Sequence, residues 1–332
     1  MIDELDLALV DALRLDPRAP WSRLARPLGV DPATLSRRWA RLRATGDAWV
    51  TCYPSADRLG TGLTALVQVE CAAGQVREAA AELSRRPWVA TVEVTTGGAD
   101  LLLTVAALGT DGLSRVLLGE LATVPGVLRT RTSLVERTLR EGSRWHDGAL
   151  DAGQRAAIAD RPSFPAPAQR SRAWREDLAL AQALGADGRA TYAQLAARTG
   201  LPPTTLRRRL ADLRDSGRLV LRCDASPALT GHPLGTMLWL DAPGHQLPSV
   251  AGWLSEMPQT RMCAVTLGTA NLAVYVMTHH IQETRRVERE LSARFPEVRA
   301  LQRQVTLRTA KLVGHVLNEA GQSRGYVPLD PV

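Results

Sequence analysis

LARPLGVDPATLSRRWARLRATG, residues 24–46, is written again as LAARTGLPPTTLRRRLADLRDSG at residues 195–217, 171 positions further on. Leu24, Ala25, Gly29, Pro32, Thr34, Leu35, Arg37, Arg38, Ala40, Leu42, Arg43 and Gly46 recur as the same residue at that offset. Upstream, Asp6, Leu7, Ala8, Leu9, Ala12, Leu13, Asp16 and Arg18 return as Asp177, Leu178, Ala179, Leu180, Ala183, Leu184, Asp187 and Arg189. Downstream, TTGGADLLLTV (95–105) is answered by TLGTANLAVYV (266–276). One unit of about 140 residues is therefore present twice, a tandem duplication and not a solenoid array.

Within the first copy, Ile2, Leu5, Leu9 and Leu13 share one face of a first helix, which Asp16-Pro17-Arg18 ends. A second helix is expected over Trp21–Leu28, shortened or distorted by Pro27, with Gly29 making the turn. Asp31 is a good N-cap, Pro32 suits the first helical position, and Gly46 stops a third helix. In copy two, Pro202 and Pro203 start the third helix and Gly217 ends it. Three short helices with a tight turn between the second and third make a helix-turn-helix unit.

The periodicity then changes. Ala65, Val67 and Val69 alternate as a strand, and Val76, Ala79, Ala80 and Leu83 repeat as a helix. Strands follow at Val89–Thr95 and Leu101–Ala107 around Gly97-Gly98, then a helix through Leu113, Val116, Leu117 and Leu121, then a strand at Val127–Thr138. The order βαββαβ is ferredoxin-like, and copy two repeats it from Thr236 to Thr309. The fold class is thus α+β, two winged or helix-turn-helix units each followed by a ferredoxin-like domain. The expected division is 1–50, 51–140, a Pro-rich linker 141–170 containing RPSFPAPAQR (161–170), 171–222, 223–318 and an irregular tail 319–332.

No run of eighteen apolar residues appears and the N-terminus is acidic, so neither a membrane span nor a secretory leader is expected. Cys52, Cys71, Cys223 and Cys263 lack metal-ligand spacing and read as reduced thiols of a cytoplasmic protein. The net charge of +7 comes from forty arginines and one lysine, Lys311. Residues 63–140 balance eight arginines with eight acids, whereas residues 202–222 carry six arginines against two acids. Positive charge therefore gathers at the third helix of copy two.

Thr34, Ser36, Arg37, Arg38 and Arg41 cannot all face the core that Leu35 and Leu42 require; Thr204, Thr205, Arg207, Arg208 and Arg209 stand likewise around Leu206, Leu210 and Leu213. Arginine can take guanine O6 and N7 together, and Thr or Ser at a helix start can bond phosphate or a base edge. Double-stranded DNA is the expected partner, read by both helices. The six histidines form no catalytic constellation, and no G-x-S-x-G, Walker A or H-E-x-x-H pattern occurs; neither an enzyme nor a bound metal or cofactor is expected.

LDLALVDALRLDPR, residues 24–46 and TTGGADLLLTV, in that order, resemble the Lrp/AsnC family of bacterial transcription regulators. The resemblance covers both copies, nearly the whole chain outside linker and tail. It implies two protomers fused head to tail, sheet domains that pair and sense small molecules such as amino acids, and a homo-oligomer, a dimer of pseudo-dimers or larger. The family's effector loop has the form T-G-x-Y-D. Copy one matches at Thr96, Gly97 and Asp100, with Gly98 between and Ala99 in place of the aromatic; copy two has Gly268, Thr269 and Asn271, an amide where the acid stood. A glycine turn offers N–H groups to a carboxylate and an Asp can hold an ammonium group. A siroheme-decarboxylase-like enzyme, also built of two related halves, is the alternative reading, with His232 near Gly235 and several arginines as its candidate ligands. A ligand sensor that does not bind DNA is another.

Overall fold

A computed structural model describes residues 2–55, 62–146, 148–159, 174–231 and 234–330 of the chain. Copy one runs α1 (Glu4–Leu15), α2 (Trp21–Leu28), α3 (Pro32–Thr45), β1 (Ala48–Pro54), β2 (Gly62–Cys71), α4 (Val76–Ser84), β3 (Val89–Thr95), β4 (Leu101–Leu108), α5 (Gly109–Ser114) and β5 (Val127–Arg140). A further helix, α6 (Ala152–Ile158), precedes copy two: α7 (Trp174–Ala186), α8 (Tyr192–Thr199), α9 (Pro203–Asp215), β6 (Leu219–Ala225), α10 (Pro227–Thr230), β7 (Leu234–Asp241), α11 (Leu247–Glu256), β8 (Thr260–Leu267), β9 (Leu272–Thr278), α12 (Ile281–Arg294) and β10 (Arg299–Leu312). The chain closes with β11 (His315–Leu317) and β12 (Ser323–Tyr326).

These elements gather into two compact units, each drawn from both copies. One comprises Met1–Gly62, His146–Thr230 and Val313–Asp330, the other Leu63–Trp145 and Gly231–Leu312. The division therefore runs by kind of domain, helical with helical and sheet with sheet, and not copy by copy along the chain. Three local expectations change. Residues 141–146 and 148–159 are described and include α6 inside the expected linker; RPSFPAPAQR lies outside the described residues. The tail beyond Leu317 contains β12 instead of being wholly irregular. Pro27 does not shorten α2, which spans the eight positions equivalent to those of α8.

In the helical unit, Asp3 caps α1 reciprocally with Asp6, and α1 buries Leu9, Val10 and Leu13. Asp31 accepts from the Thr34 amide to start α3, which buries Leu35, Trp39 and Leu42. Gly46 ends α3 at φ 76°, and a Cβ there would lie 2.3 Å from the Ser323 carbonyl oxygen. The two strands that follow the helices, β1 and β6, pair antiparallel from Ala48↔Ala225 to Pro54↔Leu219. Thr51↔Arg222 is the middle pair, and those residues stand 171 positions apart, so a pseudo-two-fold axis passes between them. The helices cross over: α1 packs on β6 and α7 on β1. Cys223 thereby completes the core of the first helical unit and Cys52 that of the second.

The axis is locked by a reciprocal clamp. Arg18 donates to the carbonyls of Gly188 (2.6 Å) and Ala190 (3.0 Å), and Arg189 to those of Pro17 (2.8 Å) and Ala19 (2.9 Å). Arg189 also lies 3.8 Å over the Trp21 ring, while Arg18 lies 5.5 Å from the equivalent ring of Tyr192. Burial lowers both guanidinium pKa values, that of Arg189 to about 10.

In the sheet unit, β2–β5 form a four-stranded antiparallel sheet in the order β3-β4-β2-β5, and β7–β10 repeat it as β8-β9-β7-β10. The edges meet: β5 pairs with β8 and β10 with β3, closing all eight strands into a ring without a free edge. Each helical face has its own apolar core, one around Leu83, Val92 and Leu103, the other around Leu254, Val274 and Val276. Between the two sheets lie Leu66, Leu102, Met237, Trp239, Ala273 and Tyr275. The carbonyls left bare at the C-terminal end of a helix are met equivalently in each half. Arg140 donates to Ser255 (2.8 Å) and Met257 (3.0 Å), and Lys311, fully buried, donates to Arg86 (2.8 Å). Burial takes the Lys311 ammonium down to about 8.

Candidate nucleic-acid interface

The third helix of each three-helix unit presents its outer face through the residues that its core-facing leucines leave over. On α3, Leu35, Trp39 and Leu42 point inward, and Ser36 and Arg37 are exposed. On α9, Leu206, Leu210 and Leu213 point inward, and Thr204, Arg207 and Arg208 are exposed, with Thr205 half-buried. Arg207 lies 5.3 Å from the centre of the Tyr192 ring of α8.

The other arginines of the expected set are engaged within the fold. Arg38 donates to Asp3 (2.7 Å) and Asp6 (3.0 Å), and Arg41 also donates to Asp6, whose side chain is fully buried. In copy two, Arg209 donates to Asp177 (2.8 Å), the repeat equivalent of Asp6. These contacts brace the third helix against the first. The Arg38 bond lowers the Asp3 pKa, and the Asp3 bond in turn raises that of Arg38. The periodicity left Arg38, Arg41 and Arg209 off the core face; a buried aspartate on the preceding helix is what redirects them. Thr34 donates through Oγ1 to Asp31 (2.6 Å), which lowers the Asp31 pKa. Asp31 thus closes the start of α3, whereas Pro202 leaves the start of α9 without a side-chain cap.

The two glycine hairpins sit at equivalent places in the ring. Asp100 accepts from the Cys71 amide (2.8 Å), while Asn271 accepts from the Ala242 amide (2.9 Å) and donates to the Ala242 carbonyl (2.7 Å). Acid and amide thus do the same work, clipping the hairpin to the neighbouring strand end. Thr96 donates its amide to Val305 and accepts the Val305 amide on Oγ1. A Cβ on Gly97 (φ 92°) would lie 2.7 Å from the Arg303 carbonyl oxygen, and one on Gly268 would lie 2.5 Å from Ser133 Oγ. Gly98 and Thr269 are exposed.

One polar group was not foreseen. Glu93, buried between the sheets, accepts from Tyr275 Oη (2.6 Å) and Thr306 Oγ1 (3.3 Å), and Trp239 Nε1 donates to Gln304 (2.6 Å). Burial raises the Glu93 carboxyl pKa, and it raises the Tyr275 phenol well above its usual value. The available signal was the alternation Thr91, Glu93, Thr95, three polar side chains on one face of a strand. His232, named for the tetrapyrrole reading, lies outside the described residues. No helix among the described residues is long and apolar enough to cross a membrane.

Comparison with known proteins agrees with this architecture. The model of the Lrp/AsnC ligand binding domain matches residues 64–145, and that of the AsnC-type helix-turn-helix domain matches twice, at 2–43 and 176–214. The HTH-type transcriptional regulator AldR of Mycolicibacterium smegmatis is 34% identical over 148 residues, 43% of this chain and 85% of AldR. The HTH-type transcriptional regulator FL11 of Pyrococcus horikoshii is 28% identical over 141 residues, 42% of this chain and 93% of FL11. Each relative thus has the length of one copy. Among solved structures, the siroheme decarboxylase NirDL aligns over 94% of this chain and 93% of its own, with a TM-score of 0.58 and 14% identity, a likeness of fold across both copies. With two helix-turn-helix matches, a ligand-domain match and a relative aligned over most of its length, the chain belongs to the Lrp/AsnC family of transcriptional regulators.

Proposed function

We propose that a single chain reads two DNA half-sites, one with α3 and one with α9, and that it acts as a regulator and not as an enzyme. The observation that carries this reading is the pairing of β1 with β6 about the Thr51↔Arg222 axis, which holds two helix-turn-helix units in one compact body. Two-fold-related readers suit half-sites about 34 Å apart, one helical turn. The proposed contacts are Ser36, Arg37, Thr204, Thr205, Arg207 and Arg208, supported by their placement on the outer faces; Thr34, Arg38, Arg41 and Arg209 hold the helices in position. The Glu93–Tyr275 group lies within a packed interior and needs no chemistry beyond mutual hydrogen bonding.

The effector reading places an amino-acid-like ligand at Thr96, Gly97, Gly98 and Asp100, with Gly268, Thr269 and Asn271 as the diverged counterpart. Because sheet edges are satisfied within one chain, further association joins whole pseudo-dimers. The test of the central reading is a mobility shift with DNA flanking the protein's own gene across a salt series. A specific shift, strengthened at low salt and weakened by both Arg37→Ala and Arg208→Ala, supports it. No specific shift at any salt, or indifference to both substitutions, overturns it. A Soret change on adding a tetrapyrrole with no DNA shift would transfer the weight to the enzyme reading.

A further inference from the structure

The two reading helices occupy equivalent positions but do not carry equivalent chemistry. Ala33, Ser36 and Arg37 of α3 correspond to Thr204, Arg207 and Arg208 of α9, all exposed. The outer face of α9 therefore has adjacent guanidinium groups where α3 has a hydroxyl and one guanidinium. The helix starts differ in the same sense. Asp31 sets a carboxylate on the first amides of α3, opposing an incoming phosphate, while Pro202 leaves those of α9 uncapped by any side chain. Further along the difference runs the other way: Arg41 of α3, exposed and paired with Asp6, is replaced on α9 by exposed Asp212. The pseudo-two-fold frame fixes two readers, and substitution has made them unlike.

Resting on the reading above, we propose that the operator of one chain is non-palindromic and bound in one orientation. The half-site under α9 is specified by guanines through Arg207 and Arg208, and the half-site under α3 is weaker and less specified. A homodimer of single-copy chains cannot make this distinction, because its two readers are identical; the fusion is what permits it.

The experiment is selection from a random duplex pool with the full-length protein at fixed salt, repeated with Arg207→Ser and Ser36→Arg. Both positions are exposed, so neither substitution disturbs a core. Wild type is expected to enrich a sequence with unequal half-sites. Arg207→Ser should lose guanine preference in the stronger half only and weaken binding about tenfold or more, the scale of one bidentate arginine–guanine contact. Ser36→Arg should add guanine preference to the other half and move the consensus toward a palindrome. A wild-type consensus with equal inverted halves overturns the inference while leaving two-site reading intact, as does a variant that alters both halves alike. Failure to enrich any sequence overturns the DNA reading itself and this inference with it.

Discussion

Residues 142–158 and 313–329 hold equivalent places after the two sheet domains, yet the first contains a helix and the second a hairpin. Leu150 and Ile158 enter the core beneath α1 and α2, where Ala149 donates its amide to Asp11 (2.8 Å) and Arg23 donates to the Ile158 carbonyl (2.7 Å). In the hairpin, His315 stacks on Trp49 and contacts the Gly185 carbonyl and Ser323, and the Ser323 amide donates to the Gly46 carbonyl. One position accounts for much of the difference. Arg14 of α1, buried beside Asp11, corresponds to Gly185 of α7, where a Cβ would lie 1.9 Å from Tyr326 Oη. The arginine is buried in its own copy beside Asp11; the glycine admits a tyrosine. By contrast, the Arg18 and Arg189 clamps, which cross between the copies, have stayed matched atom for atom. A contact repeated across a pseudo-two-fold axis constrains both copies, while each tail is free to find its own solution.

Breaking the matched contact should have the largest effect. Arg189→Ala leaves two carbonyls without their donor and removes the stack on Trp21, and is expected to cost about 4 kcal/mol; Arg18→Ala, with the looser stack, should cost about 3 kcal/mol. Chemical denaturation checks this, and a cost below 1 kcal/mol for either would show that the clamp is ornamental. The hairpin supplies the next test. Burial lowers the His315 pKa to about 4, whereas an unfolded histidine titrates near 6.5. The folded state therefore favours the neutral ring. Stability should be full above about pH 6.5 and fall by about 3 kcal/mol as pH drops toward 4, because the unfolded chain binds the extra proton. His315→Gln should flatten that window; the equivalent residue in copy one is Arg144.

Gly185→Ala sharpens the same contrast, since the added methyl meets Tyr326; a loss of about 2 kcal/mol is expected, read by thermal melting, with Tyr326→Phe recovering part of it. In the sheet unit, Arg140→Lys converts a two-carbonyl contact into the single contact made by Lys311 and should cost about 1 kcal/mol. The smallest effect belongs to Asp100→Asn. The amide can copy Asn271, so stability should move by no more than about 0.5 kcal/mol. Any amino-acid binding measured by calorimetry at that hairpin should nonetheless fall, because the acid that would hold an ammonium group is gone.

Much of this was legible from residues alone. The duplication, the helix cap at Asp31, the strand alternation and the two glycine hairpins are local or periodic signals, and the helices and sheet strands formed where those signals stood, save that the helix expected through Leu121 is an α-helix only to Ser114 and runs on as a π turn and a 3-10 turn. Strands β1 and β6 escaped because each is mixed in character; each becomes a strand by pairing with its equivalent from the other copy. The candidate interface was legible in part. Leu35 and Leu206 fix which face turns inward, so Arg37, Arg207 and Arg208 could be placed outward. The engagement of Arg38, Arg41 and Arg209 could not, because it depends on aspartates of another helix.

Sequence by itself determined that there are two copies, which elements each contains, and which side chains have no place in a core. Those properties follow from spacing along the chain, to which backbone hydrogen bonding and apolar burial respond locally. Tertiary structure decided that like domains join with like, that Cys52 and Cys223 exchange cores, and that the eight strands close into one ring. Such outcomes rest on edges and faces that one copy cannot satisfy alone, and only its equivalent, brought back from far along the chain, supplies the complementary surface.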